Sequence, residues 1–173
     1  KNIAKAGKLA SVLPRVAKDS KSSQARLHAH YILDEVLAPD RARIESMLED
    51  NHSSILKHGL CLLEKHERLG ESVAWDSFVT STNEQVRQQV GYSLGTVKVA
   101  KPGCGLHLAK LLRLNADDPH ILAAGLSSIN KENWAVVRSE LTRGDVLAAP
   151  LVGPLMRLST AFGEPGDAAL LFL

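Results

Sequence analysis

Residues 117–129, DDPHILAAGLSSI, carry the reading that decides the fold. An acid-Pro pair stands before an apolar run, which marks a helix start. The run itself is built largely of Ala and Gly with Leu and Ile between them. Gly125 costs about 1 kcal/mol in helix propensity against Ala, so a glycine there needs a reason. A helix buried on two sides supplies one, because small residues let neighbouring helices approach closely.

The same pattern recurs along the chain. SSQARLHAHYIL (22–33), HSSILKHGLCLL (52–63), NEQVRQQVGYSL (83–94) and DPHILAAGLSSI (118–129) align without gaps from their third or fourth residue. One column holds Ala25, Ile55, Val86 and Ile121. Four residues on come Ala29, Gly59, Val90 and Gly125, and after four more Leu33, Leu63, Leu94 and Ile129. Such an i, i+4, i+8 ladder is one face of a helix. The first column repeats at intervals of 30, 31 and 35 residues.

A second short helical stretch follows each ladder: PDRARIESML, SVAWDSFV, GLHLAKLLRL and NWAVVRSEL. Turn-like breaks such as KDSKSS, LAPD, EDNHSS, TSTNE, AKPG and NKEN separate the segments, and several put a capping residue before an apolar run. No alternating run of β-branched residues argues for a strand. Two helices per unit at this period predict an all-α, right-handed α-solenoid. The alternative is an irregular helical bundle. The expected organisation is a single solenoid domain over 1–173, with repeats at 20–50, 51–81, 82–115 and 116–144 and partial units at 1–19 and 145–173. Pro14 is expected at a kink or helix start, Pro150 and Pro154 at a bend or cap, and EPGDAALLFL as a closing helix. The chain begins with Lys and ends in DAALLFL, and these ends read as cut from a longer protein.

Composition agrees with helix packing. Aromatic residues are only 4%, so the 45% hydrophobic content rests on Leu, Ala and Val. The net charge of +2 offers no electrostatic case for nucleic-acid binding. Two cysteines, Cys61 and Cys104, are too few for a disulfide framework. No apolar run reaches the roughly 18 residues of a membrane span.

DPHILAAGLSSINKENWAVV, ARLHAHYILDEV and NEQVRQQVGYSL resemble HEAT-type repeats, in which an acid-Pro pair, an apolar residue, an Arg and a small-residue run precede a Leu. Arg26 and Arg87 occupy the Arg column, whereas Leu56 and Leu122 depart from it. In finer detail, residues 20–143 resemble the HEAT segment of large exported planctomycete proteins that join a dehydrogenase-like propeller to a c-type cytochrome domain. That resemblance implies an exported or periplasmic, oxidoreductase parent with haem elsewhere in its chain. The Cys-x-x-Cys-His attachment motif is absent here, so no cofactor is expected in this segment.

Individual residues point to no catalytic or metal site. His28 and His30 diverge by about 200° on a helix and cannot chelate one ion together. His58 and Cys61 stand one turn apart, but two ligands do not make a site. Cys104 in KPGCGLH, three residues before His107, is the most catalytic-looking cluster, since a thiolate at a helix N-terminus would be activated. A loop cysteine in a repeat connection is the plainer expectation. RGD at 143–145 reads as a turn, and KPGCG lacks the Lys-Ser/Thr of a phosphate loop.

What remains is surface. Second helices of HEAT solenoids line the concave face, so Arg41, Arg43, Lys110, Arg113, Arg138 and Arg143 are expected there, interrupted by Asp40, Glu45, Glu49, Asp76 and Glu140. A groove of mixed sign suits a protein, or a neighbouring domain of the parent chain, better than a phosphate backbone. Trp75 and Trp134 are expected to interlock neighbouring repeats. The expected function is a non-catalytic protein-interaction or scaffold module. The alternatives are a HEAT-like nucleic-acid binder or DNA glycosylase-like enzyme, and an assembly or lyase-like protein acting on a chromophore-bearing partner. Open solenoid ends make an end-to-end dimer plausible.

Overall fold

The computed structural model describes residues 2–66, 73–97, 103–143 and 146–162, with the backbone alone for residues 2–10. The described residues form helices and no strand, so the protein is all-α. The chain divides into two compact units, residues 1–66 and 67–173. The division falls within the expected repeat 51–81.

The N-terminal unit contains α1 (Asn2–Asp19), α2 (Ser23–Val36), α3 (Arg41–Leu48) and α4 (Ser53–Lys65). Helix α1 packs along α2, α3 packs on α4, and α2 also touches α4. Pro14 lies inside α1. The α1–α2 seam is a small apolar cluster of Leu13, Ala17, Ala29 and Leu33, with Val16 at its edge. Around α3 and α4 the core is larger, with Ile44, Met47, Ile55, Leu60 and Leu63 fully buried.

The C-terminal unit contains α5 (Trp75–Val79), α6 (Glu84–Thr96), α7 (Gly103–Leu114), α8 (Pro119–Ser127), α9 (Trp134–Thr142) and α10 (Ala149–Phe162). Helices α6 and α8, both ladder helices, lie against each other, and so do the second helices α7 and α9. Short α5 packs on α6 and α7 through Trp75, Phe78 and Val79. Trp134 is buried and meets Phe162 edge-on, with ring centroids 5.7 Å apart. Pro150 opens α10 and Pro154 lies within it. The EPGDAALLFL segment lies outside the described residues.

The ladder is the buried face. Every ladder residue is buried except Ala25, which is half-buried. Each ladder helix is capped in the same phase, three residues before its first ladder position. Ser22 caps Ala25 N–H at 3.3 Å, Asn83 caps Val86 N–H at 3.2 Å, and Asp118 caps Ile121 N–H at 3.0 Å. In the second repeat His52 takes that position, and its Nδ1 accepts from Ser54 N–H at 3.3 Å. A side-chain acceptor satisfies backbone donors that the first turn otherwise leaves open.

Small residues are explained by helix separation. A Cβ on Gly91 would stand 2.9 Å from Ala124 Cβ and 3.0 Å from Gly125 N, so α6 and α8 touch backbone to backbone. Gly125 has Leu112 on its other side, at 2.8 Å from a Cβ placed there. Ser128 completes the seam by donating to the Gly91 carbonyl at 2.6 Å. The stretch 117–129 is thus small because its helix is covered by both α6 and α7.

Candidate functional site

Two guanidinium groups do the same work in the two units. Arg26 Nη1 donates to the Ser20 carbonyl at 2.7 Å, and its Nε and Nη2 clasp the Asp50 carboxylate at 2.9 Å each. Arg87 Nη1 donates to the Ser81 carbonyl at 2.6 Å, and its Nε donates to Asn115 Oδ1 at 2.8 Å. Each Arg therefore ties the turn before its own helix to the turn after the second helix. Asp50 and Ser20 stand two residues before a capping residue and accept from its backbone N–H, as does Ser81. These arginines are part of the framework.

The cations expected to line a groove fall into different settings. Arg41 is exposed on α3 and pairs with Glu45 one turn on, at 2.7 Å. Arg43, also on α3, turns inward: it is only 8% exposed, and Nη2 donates to Asp34 Oδ1 at 3.2 Å. Its place is a buried ion cluster of the N-terminal unit. Asp34, with a 1% exposed side chain, also receives Lys65 Nζ at 2.8 Å and lies 2.8 Å from His66 Nε2. Burial opposes the charge on Asp34, yet the Lys65 and His66 hydrogen bonds outweigh it and hold the carboxyl below its usual range. Lys65 Nζ also meets exposed Glu35 at 2.8 Å, and the two carboxylates, Asp34 first, push Lys65 well above the usual lysine value.

The other cations belong to the C-terminal unit. Lys110 Nζ on α7 reaches Asp76 Oδ1 on α5 at 2.6 Å, with His107 Nδ1 at 3.8 Å from the same oxygen. The Lys110 hydrogen bond holds the Asp76 carboxyl below its usual range. One turn further along α7, Arg113 donates to the backbone carbonyl of Glu140 on α9. The Glu140 carboxylate in turn pairs with exposed Arg143 at 3.2 Å. Arg138 lies half-buried on α9. The second helices of this unit thus carry a strip of mixed charge, Asp76–Lys110 and then Arg113–Glu140–Arg143. Exposed pairs of this kind contribute about 0–1 kcal/mol each, so they can be exchanged for a partner's charges at little cost.

The catalytic-looking cluster takes another form. The Cys104 thiol donates to the Leu94 carbonyl, and burial pushes it above its usual range. His107 turns to Asp76. Burial likewise raises the Cys61 thiol, while His58 Nδ1 is engaged by the Tyr31 hydroxyl at 2.7 Å. Among the described residues neither cysteine meets a base as an activated nucleophile does. Among the described residues no three His, Cys, Asp or Glu side chains converge as a metal site, and no helix is long and apolar enough to cross a membrane.

A cavity of about 490 Å³ opens in the N-terminal unit between α1, α2 and α3. Pro14, Ala17, Leu33 and Leu37 give it apolar walls, and His30 and Arg43 lie along it. Asp34 and His66 were not singled out from the sequence, and His30 was weighed only as a metal ligand beside His28. His30 directly follows ladder residue Ala29, in the register held by buried Leu60 and Gly91 and half-buried Leu126 in later repeats. That register was a usable signal. In comparisons with known proteins, no family model, no curated protein and no solved structure matches the chain.

Proposed function

We propose that the chain is a HEAT-like, right-handed α-solenoid acting as a non-catalytic protein-interaction or inter-domain scaffold module. Support for the solenoid comes from the shared capping phase, the buried ladder, the paired Arg26 and Arg87 ties, and the contact of like helices in α6–α8 and α7–α9. The interaction role is carried by one observation, the exposed strip Asp76–Lys110 and Arg113–Glu140–Arg143 on second helices. Its charges are mixed in sign, which suits a protein surface of complementary pattern. The resemblance to the exported planctomycete proteins makes the neighbouring partner a domain of an oxidoreductase parent outside the cytoplasm.

Cross-linking mass spectrometry on the full-length protein from its native source tests this. The expected result is cross-links from Lys110 to residues outside 1–173 or to a second polypeptide, lost in the charge reversal R113E/R143E, which leaves the Lys110 amine in place. Absence of such cross-links, with no effect of the reversal, contradicts the interaction role. Tight binding to duplex DNA that falls steeply with salt would replace it by the nucleic-acid reading.

A further inference from the structure

His30 stands where the later repeats place Leu60 and Gly91, and it is only 4% exposed. Its Nδ1 and the Nε of Arg43 are buried with no hydrogen-bond partner among the described residues. The remaining polar tie of the ring is to the backbone of Ala17, on α1. Among the described residues, α1 also meets α2 through the Leu13–Ala17–Ala29–Leu33 cluster, and the turn after it is tied by the bond from Arg26 to the Ser20 carbonyl.

The charges around the imidazole come from each neighbouring element. Lys18 of α1 and Arg43 of α3 line the same cavity, with Asp40, Glu49 and Asp50 from the start and end of α3. Arg26 lies on α2 itself, but its charge and that of Asp50 are committed to each other at 2.9 Å. Asp40 spends its carboxylate on the Ala42 N–H. Beyond Arg43 lies Asp34, already shared with Lys65 and His66. A proton on His30 would therefore add a buried cation beside the Arg43 guanidinium, where among the described lining carboxylates Asp40 and Asp50 already accept other bonds and Glu49 remains.

From this placement we infer that His30 is an acid-sensitive latch: neutral, it lets α1 dock on α2, and protonated, it releases α1. Burial first, and then Arg43, hold the imidazole below its ordinary value. The sign follows directly. Docking is fully stabilised above the undocked value of about 6.5 and weakens as pH falls through the docked value. In that window the opening of α1 rises by up to about tenfold per pH unit. Asp34 and Asp50 titrate lower, since both are held below the carboxylate range.

Hydrogen exchange on the full chain at about pH 7.5 and about pH 5.0, corrected for intrinsic rates, tests the latch. Amides of residues 11–19 should lose at least about fivefold protection at the lower pH, while those of α8 hold. His30→Leu, which copies the second repeat, should remove that loss. Should His30→Leu fail to fold, the NMR titration of the His30 ring in the unaltered chain decides instead, with an expected midpoint below the ordinary histidine value. Unchanged protection in α1, the same loss in His30→Leu, or a midpoint at or above the ordinary value would overturn the inference.

Discussion

The two units solve one problem with different chemistry. Both must lock ladder helices in the same phase. The N-terminal unit does so with charge: Asp34 gathers Arg43, Lys65 and His66, and Arg26 clasps Asp50. In the C-terminal unit the equivalent clasp is neutral, Arg87 on Asn115, and contact depends on fit, with Gly91 against Ala124 and Gly125. A buried ion cluster is sensitive to loss of one member and to acid, whereas close backbone contact is sensitive to added volume. Equal geometry therefore does not mean equal vulnerability.

The largest expected effect follows from removing the shared carboxylate. Asp34→Ala leaves Arg43 buried without its acid and should destabilise the N-terminal unit by about 3–5 kcal/mol, read by urea unfolding. Acid should act on the same groups. Asp34 and Asp50 are held below the carboxylate range, so their contribution is present above the unfolded value of about 4 and is lost as pH falls below it. Both tryptophans, Trp75 and Trp134, lie in the C-terminal unit. Helical circular dichroism should therefore begin to fall at a higher pH than tryptophan fluorescence changes. Coincident transitions would remove the contrast between the units.

The paired clasps sharpen it. Arg26→Leu strands a charged, mostly buried Asp50 and should cost about 2–3 kcal/mol. Arg87→Leu leaves only neutral groups short of partners and should cost about 1 kcal/mol. Equal losses in urea unfolding would mean that charge is not the difference. Gly91→Val should destabilise the C-terminal unit by about 1–3 kcal/mol, seen in tryptophan fluorescence, because the facing atoms are the Ala124 Cβ and backbone and cannot swing aside. Lys110→Ala should change stability by less than about 1 kcal/mol, as an exposed pair on the strip requires.

Much of the helical organisation was legible because burial repeats at a fixed interval. The columns from Ala25, Ala29 and Leu33 reappear as the buried face, and Asp118 and Asn83 cap as their residue types suggest. His52 was less legible: the phase of the repeat demands a cap at that position, and a histidine nitrogen serves where Ser or Asp is usual. Charged residues were harder to place. Arg43 and Arg41 look alike in RARIES, yet helical rotation sends one inward to Asp34 and leaves the other exposed to Glu45. Asp34 and Glu35 divide in the same way. Arg43 is nine residues from Asp34, but Lys65 and His66 come from some 30 residues on, and no local pattern announces a contact at that distance.

The most direct test is whether like helices of successive repeats touch backbone to backbone. In a 13C-edited NOE spectrum of the full chain, the Ala124 methyl should give a strong cross-peak to the Gly91 Hα protons, since a Cβ at Gly91 would lie 2.9 Å from Ala124 Cβ. Both resonances assigned, and no cross-peak between them, would contradict the stacking of α6 on α8 and with it the repeat architecture proposed for this chain.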